Sequence, residues 1–471
     1  MPATIEHEKL DDTDLKRTIT GRLLFFYVLG DVLGSGIYVL IGAVAAAVGG
    51  AFWIAFLIGI SVATLTGLAY AELVTKYPRA AGSSLYANKA FGKPALTFFV
   101  TVAMLSSSFA AAGSLAAGFA GYFAEIWSAP PALLVSLAFV IMLSVVNFIG
   151  ITESVLANLA MTVVEVTGLL IVMLVGVIVI AQGDADFGVL GQFDTSGSPI
   201  LAIVSGVALG FFAMTGFENA ANVAEECTHP RRTFPKALVG GMVGAGIIYV
   251  LVSMSAALAL PIPELAASTA PLLDVVESGV LPLPVGVITI VFALIAMTAI
   301  TNTTLVAVVT QSRILYGMAK EDVVPNVFSK LHSSRRSPWV GLVFSAVVVA
   351  GLLVVGAVLP KVGIDVNVVE RLAAVTVVLL LFVYGMVIVS ALKLRGQDET
   401  DETYRAPTVL LGVGLVGNAA LLAYVVYDDP ASLVWSAGLI AVGGVLFVLE
   451  YFFGSTDRPA DKRRGDPVAT R

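Results

Sequence analysis

The sequence predicts an all-α polytopic membrane protein of twelve transmembrane helices, and three observations carry that prediction. Of its 471 residues, 58% are hydrophobic and only 13% are charged. A soluble chain of this length needs far more charge to cover its surface, whereas the 45 glycines suit helices packed closely in lipid. The apolar residues also come in blocks long enough to cross a hydrocarbon core, which takes about 20 residues. Finally, the basic residues fall on one side of the topology that those blocks define.

The blocks are 22–48, 52–76, 95–123, 131–150, 155–181, 199–224, 236–260, 283–316, 339–360, 371–394, 407–427 and 431–453. Prolines such as Pro78, Pro94, Pro130, Pro261, Pro338 and Pro430 punctuate their ends, where a missing backbone N–H does least harm. Blocks 95–123 and 283–316 exceed one crossing, so they tilt or run on into water. With the N-terminus in the cytoplasm, 24 of the 26 Lys and Arg lie in cytoplasmic segments, and only Lys361 and Arg371 fall outside. The outer loops carry acids instead: Asp184, Asp186, Asp194, Glu264, Asp274 and Glu277. The first 21 residues are polar and contain no apolar signal core. Both tails, 1–21 and 454–471, are therefore expected in the cytoplasm and the chain in the cytoplasmic membrane. The longest loop, about 317–338, reads as a short amphipathic segment, so function must lie in the bundle.

Composition excludes several chemistries. The single cysteine, Cys227, rules out an internal disulfide and a cysteine metal cluster. His7, His229 and His332 all sit in charged segments at the ends of blocks, so no histidine metal site or nucleophile–base pair is expected in the membrane. An enzyme is disfavoured; no cofactor, metal or nucleic-acid partner is implied.

Two blocks are interrupted in matching places. The first contains Gly34-Ser35-Gly36-Ile37-Tyr38 at mid-length, and the sixth contains Phe211-Phe212-Ala213-Met214-Thr215-Gly216-Phe217-Glu218. Glycines weaken a helix where lipid otherwise demands continuous hydrogen bonding. Blocks 1 and 6 are corresponding members of two five-span halves, and such paired breaks point to a central binding site in an inverted-repeat transporter. Amides freed at Gly34, Ser35 and Gly36 carry partial positive charge and suit a substrate carboxylate. Carbonyls near Phe211, Phe212, Ala213 and Met214 suit an ammonium group. The pair of breaks thus suits an amino acid or a related amine.

These segments resemble the amino acid–polyamine–organocation superfamily over nearly the whole chain. The carrying motifs are the two breaks, the continuation Ala224-Glu225-Glu226 through Pro230-Arg231-Arg232-Thr233-Phe234-Pro235-Lys236, and Ser312-Arg313-Ile314-Leu315-Tyr316-Gly317-Met318-Ala319. The resemblance implies a five-plus-five inverted-repeat, leucine-transporter-like fold with two extra C-terminal helices. The halves are then 22–181 and 199–394, with the extra pair in 407–453. It also implies alternating access around a midplane site, carboxylate binding by the Gly34 to Gly36 amides, and Phe212 as the aromatic closing over substrate. Ser106, Ser107 and Ser108 of the third block stand where relatives for cationic amino acids tend to place larger or acidic groups. If Ser107 and its neighbours line the pocket, a small neutral substrate is favoured.

Three carboxylates lie deep. Asp31 is about 14 Å along the helix from Arg22 and Glu165 about 16 Å from Ser154, while Glu218 follows the second break. A charged carboxylate at mid-membrane costs roughly 2.5–3.5 kcal/mol on insertion scales, which marks such residues as functional. In many proton-coupled relatives the position aligned with Glu165 is a lysine, and here the chain departs from them. The expectation is that Asp31 and Glu165 share a cavity with Thr301 and Asn302 and load a proton, with Glu218 contributing. A Na⁺ site completed by carbonyls of Gly30 and Leu33 with Thr301 is the alternative, as is an exchanger of the same fold. Glu225 and Glu226 are expected to form an ion-pair latch with Arg231 and Arg232. A channel predicts a continuous polar stripe, whereas these polar groups cluster at mid-depth.

Overall fold

The computed structural model describes residue 15 and residues 17–453, apart from 81, 128, 194–197, 269, 279, 282–283, 321–322 and 364–367. The C-terminal tail and most of the N-terminal tail lie outside the described residues. The described chain is helical throughout, with one isolated parallel bridge between Ile19 and Cys227.

The helices, in order, are α1 (Gly21–Val48), α2 (Trp53–Lys76), α3 (Gly82–Phe91), α4 (Pro94–Ile126), α5 (Ala132–Ile149) and α6 (Ile151–Gln182). Then follow α7 (Pro199–Gly210), α8 (Asn219–Asn222), α9 (Pro230–Ala259), α10 (Ile262–Ala267) and α11 (Pro271–Glu277). The chain ends with α12 (Val285–Lys320), α13 (Trp339–Val358), α14 (Val368–Lys393), α15 (Thr408–Asp428) and α16 (Ala431–Phe453).

Among the described residues, ten helices are long and apolar enough to cross a membrane, counting Pro199–Asn222 as one; α1, bent by 64°, brings the number to eleven. At the position of the twelfth expected span, the described part of α16 counts only as a shorter apolar helix, Ala431–Ala441. The two over-long blocks are the single helices α4 and α12. Short helices α3, α10 and α11 lie in connections where none was expected.

Burial sorts the helices into an inner and an outer set. α4, α14, α12 and the middle of α1 are well enclosed, whereas most residues of α5, α13 and α15 are not buried. Leu134, Ile141, Val347, Val413 and Val416 all face outward. In water so many exposed aliphatic side chains would drive aggregation; in lipid they are the solvated face. Inside, α9 packs along α2 and α1, α14 along α4, and α12 against both α4 and α6.

The end of the bundle that holds the start of α1 and the end of α2 is polar and tied together. Glu72 accepts two bonds from Arg395, at 3.0 and 3.2 Å, and one from the Ala406 amide at 2.9 Å. The buried Lys76 ammonium donates to the Leu394 carbonyl at 2.8 Å and to Glu399 at 3.2 Å. Glu399 is held below the ordinary carboxylate value, first by the Gly396 amide and then by Lys76. A lowered folded-state value means that this contact stabilises the protein above the usual carboxylate range and ceases to do so as pH falls through the lowered value. The thermal midpoint of the wild type should therefore drop more steeply on acidification than that of Glu399→Gln. Parallel pH profiles for the two proteins would contradict the assignment.

Candidate functional site

Both expected breaks are present. In α1 the backbone leaves helical geometry at Gly34 (φ 5°, ψ −166°). In the sixth block α7 ends at Gly210, a tight turn runs over Phe211–Met214, and Gly216 takes φ 116° before α8. The two breaks touch. A side-chain carbon on Gly36 would meet the backbone of Ala213, with the Ala213 Cβ only 2.6 Å away. At Gly216 the positive φ disfavours any side chain, and a Cβ there would lie 2.9 Å from the Asp31 carboxyl carbon.

Between the breaks lies a cavity walled by α1, α4, the 212–219 segment, α12 and α14. Its space open to water centres is ≈ 40 Å³, room for about three waters at roughly 10–15 Å³ each. Of the residues singled out from the sequence, Asp31, Gly34, Ser35, Gly36, Ser107, Phe212, Ala213, Gly216 and Glu218 line it. Ser108 and Thr215, also in the segments read from the sequence, line it too, and Val32, Met104, Ala111, Leu115, Asn219, Thr303, Ala307, Thr376 and Leu380 complete the wall.

Phe211 and Met214 do not line the cavity. In a tight 3₁₀ turn residues three apart share a face, and this face turns away: Met214 sulfur packs over Gly59 and the Phe211 ring lies 6.4 Å from that of Tyr384. Thr301 is likewise turned away, its hydroxyl donating to the Met297 carbonyl at 2.7 Å. Two residues on, about 200° around the helix, Thr303 takes the inward position and accepts the Ser35 amide at 3.3 Å.

Asp31 and Glu165, expected to share a cavity, do not: Asp31 and Glu218 line it and Glu165 does not. Asp31 faces the 216–219 segment, where its Oδ2 accepts from Asn219 at 2.8 Å. Glu165 lies against another face of α1, where Asn302 Nδ2 donates to its Oε2 at 3.2 Å, to Thr162 Oγ1 at 3.1 Å and to the Gly30 carbonyl at 3.3 Å. Asn158 donates to the Asn302 oxygen at 2.7 Å. Leu33 is buried in the core and, like Gly30, Glu165 and Asn302, is absent from the cavity wall. Glu218 takes bonds on Oε2 from its own loop, the Gly216 amide at 2.9 Å, and from Tyr384 at 2.6 Å. Tyr384, Tyr70, Tyr86 and Phe217 form an aromatic cluster in which Tyr70 meets the other three rings edge-to-face and Phe217 lies tilted on Tyr384.

Three features were not read from the sequence. Tyr249 of α9 places its hydroxyl between the carbonyls of Val32 and Ala213, donating to the latter at 2.6 Å, and so ties the two breaks together. Its block is uniformly apolar and nothing local distinguishes it. The latch also has other partners than expected. Glu226 pairs with Arg313 of α12 at 3.1 Å, both nearly solvent-free, and Glu225 pairs with Arg79 at 3.5 Å. Arg232 instead meets Glu402 at the surface. The expectation chose sequence neighbours, but α12 brings a distant guanidinium to the buried carboxylate. Finally, Thr18 and Ile19 amides donate to the Glu226 carbonyl, and Thr228 donates back to Ile19, so the approach to α1 is laced over the latch.

A helical bundle with a lipid-facing exterior, whose two broken helices flank a cavity lined by both polar and apolar residues, has the architecture of a membrane transporter. Residues 21–460 match the model of the amino acid permease family, and the chain belongs to that family. It is similar to the branched-chain amino acid permease BcaP of Bacillus subtilis, 25% identical over 86% of each chain. Cationic amino acid transporter 9, chloroplastic, of Arabidopsis thaliana is 27% identical over 64% of this chain, which spans only 55% of that longer protein. The methylthioribose transporter of Bacillus subtilis is 23% identical over 72% of this chain and 75% of its own. The protein is thus a multi-pass membrane permease and not an enzyme.

Proposed function

We propose that the protein is a secondary active transporter of an amino acid, working by alternating access with substrate held between the breaks of α1 and α7–α8. The observation that carries this reading is the direct contact of the two breaks beside a cavity whose wall includes Asp31, Ser35 and Glu218. A substrate carboxylate at Gly34 to Gly36 would take over the long 3.3 Å bond that the Ser35 amide now gives to Thr303. The wall opposite is largely apolar, from Met104, Ala111, Leu115, Ala307 and Leu380. Its hydroxyls are committed to main-chain carbonyls: Ser107 to Met104, Ser108 to Ala307 and Thr376 to Ser107. That lining suits a neutral side chain, in keeping with the branched-chain permease among the relatives.

In this reading the spans fall into two inverted five-helix halves, 22–181 and 199–394, followed by 407–453. The basic end carrying the Glu226–Arg313 latch faces the cytoplasm, with both tails, at the plasma membrane. The latch and the Ile19–Cys227 bridge keep that side shut. In this reading the walls of the cavity part on binding, as a carrier's do.

Coupling is assigned to a proton at Glu165. Asn302 Nδ2 donates to three oxygens there, Glu165 Oε2, Thr162 Oγ1 and the Gly30 carbonyl, which a Na⁺ ion would need for itself. Purified protein in liposomes should show saturable uptake and counterflow of an amino acid. Glu165→Gln should lose pH-gradient-driven accumulation at least tenfold while retaining exchange. Unchanged gradient-driven uptake in that variant removes the coupling role, and accumulation that follows a Na⁺ gradient instead favours the sodium alternative.

A further inference from the structure

The sequence suggested that carbonyls of the second break receive the substrate's ammonium group. Two of them are already engaged. The Phe212 carbonyl accepts from the Thr215 hydroxyl at 2.8 Å and its amide at 3.3 Å, and the Ala213 carbonyl accepts from Tyr249 at 2.6 Å. Among the described residues, two unpartnered acceptors in the cavity wall belong to α1.

Asp31 is 2% exposed and lines the cavity. Asn219 fixes its Oδ2, while its Oδ1 is buried without a hydrogen-bond partner among the described residues. Ser35 lines the same cavity at 1% exposure, and its hydroxyl also lacks a partner among them. The two residues flank the Gly34 break of α1 and line the one cavity. The bare backbone of Gly216 leaves room for the carboxyl to face the 216–219 segment. A carboxylate oxygen and a hydroxyl, both buried and unsatisfied among the described residues, on two residues that line one cavity, form a receptor for a cationic hydrogen-bond donor.

We propose that Asp31, positioned by Asn219 and assisted by Ser35, is the residue that recognises the primary ammonium group of the transported molecule. This rests on the reading of the cavity as an amino acid site. It separates the jobs of two acids that the sequence placed together: Glu165 serves coupling and Asp31 serves selection. The substrate class follows: the cargo carries a protonated primary amine, and an analogue with hydroxyl in its place leaves a buried charge unanswered. A site built to bond a polar group rejects analogues lacking it strongly.

The test uses full-length protein in liposomes. Counterflow is measured for the twenty amino acids, and the best is paired with its 2-hydroxy acid and its decarboxylated amine as competitors. Wild-type protein should prefer the amino acid to the hydroxy acid by at least ~100-fold. In Asp31→Asn the amino acid should weaken while the hydroxy acid holds or improves, so that the ratio falls to within ~10-fold. A variant that keeps the wild-type ratio overturns the proposal. If the variant is not recovered folded, thermal shift on the wild type still decides. Protection by the amine with none by the hydroxy acid supports the role of Asp31, and equal protection by amino acid and hydroxy acid overturns it. No counterflow of any amino acid by wild-type protein would instead strike at the transport reading itself.

Discussion

Gly36→Ala should reduce amino acid uptake by at least ~100-fold, because displacing groups by about 1 Å at a site can cost that much. The added methyl would lie 2.6 Å from the Ala213 Cβ and 3.1 Å from its amide nitrogen, and would press on the main chain of that residue. Side chains can rotate away from such a clash; backbone in a tight turn cannot. The two breaks must separate, carrying the Ala213 carbonyl away from Tyr249, which now joins it to Val32. The outer surface and the remaining helices are untouched, so the variant should reach the membrane in normal amount. Near-wild-type uptake by Gly36→Ala would mean that the contact between the breaks is incidental packing.

The second large effect is on stability. Arg313→Ala should destabilise the protein by about 3–5 kcal/mol, the usual result of stranding one partner of a buried ion pair. Glu226 and Arg313 are 1% and 2% exposed, and the guanidinium belongs to the largest fully buried side chain among the described residues. Removing both charges strands neither, so Glu226→Gln combined with Arg313→Met should recover much of the loss. Thermal midpoints in detergent measure this directly. Because the Thr18 and Ile19 amides bond to the Glu226 carbonyl, the single variant should also expose this end of the cavity. Faster modification of Cys227, 1% exposed in the latched form, reports that opening. Equal losses in the single and double variants would show that the charges do not act as a pair.

What the sequence made legible was whatever is written locally. Block length and apolarity located the ten spans and the bent α1 found among the described residues, since each helix in lipid must satisfy its own backbone. The Gly34-Ser35-Gly36 and Thr215-Gly216 interruptions were visible because glycine loosens a helix at a depth where lipid offers the backbone no replacement bonds. Contacts between distant segments were not legible. Thr303 faces the cavity where Thr301 does not, because helix phase there is set by packing against the α1 break. Tyr249 reaches both breaks from an unmarked apolar helix, and Arg313 displaces Arg231 and Arg232 from the latch because α12 is delivered there by the fold. Asp31 and Glu165 were grouped by depth and by the resemblance; Asp31 faces the 216–219 segment, whereas Glu165, on α6, meets Asn302 against another face of α1.

The most direct test is a structure of the protein in lipid nanodiscs with its best-transported amino acid bound. The account predicts ligand density between the Gly34–Gly36 amides and residues 212–219, with its ammonium end at Asp31 and both helices still broken. Ligand density elsewhere in the bundle, or α1 running straight through Gly34 with the ligand present, would contradict it.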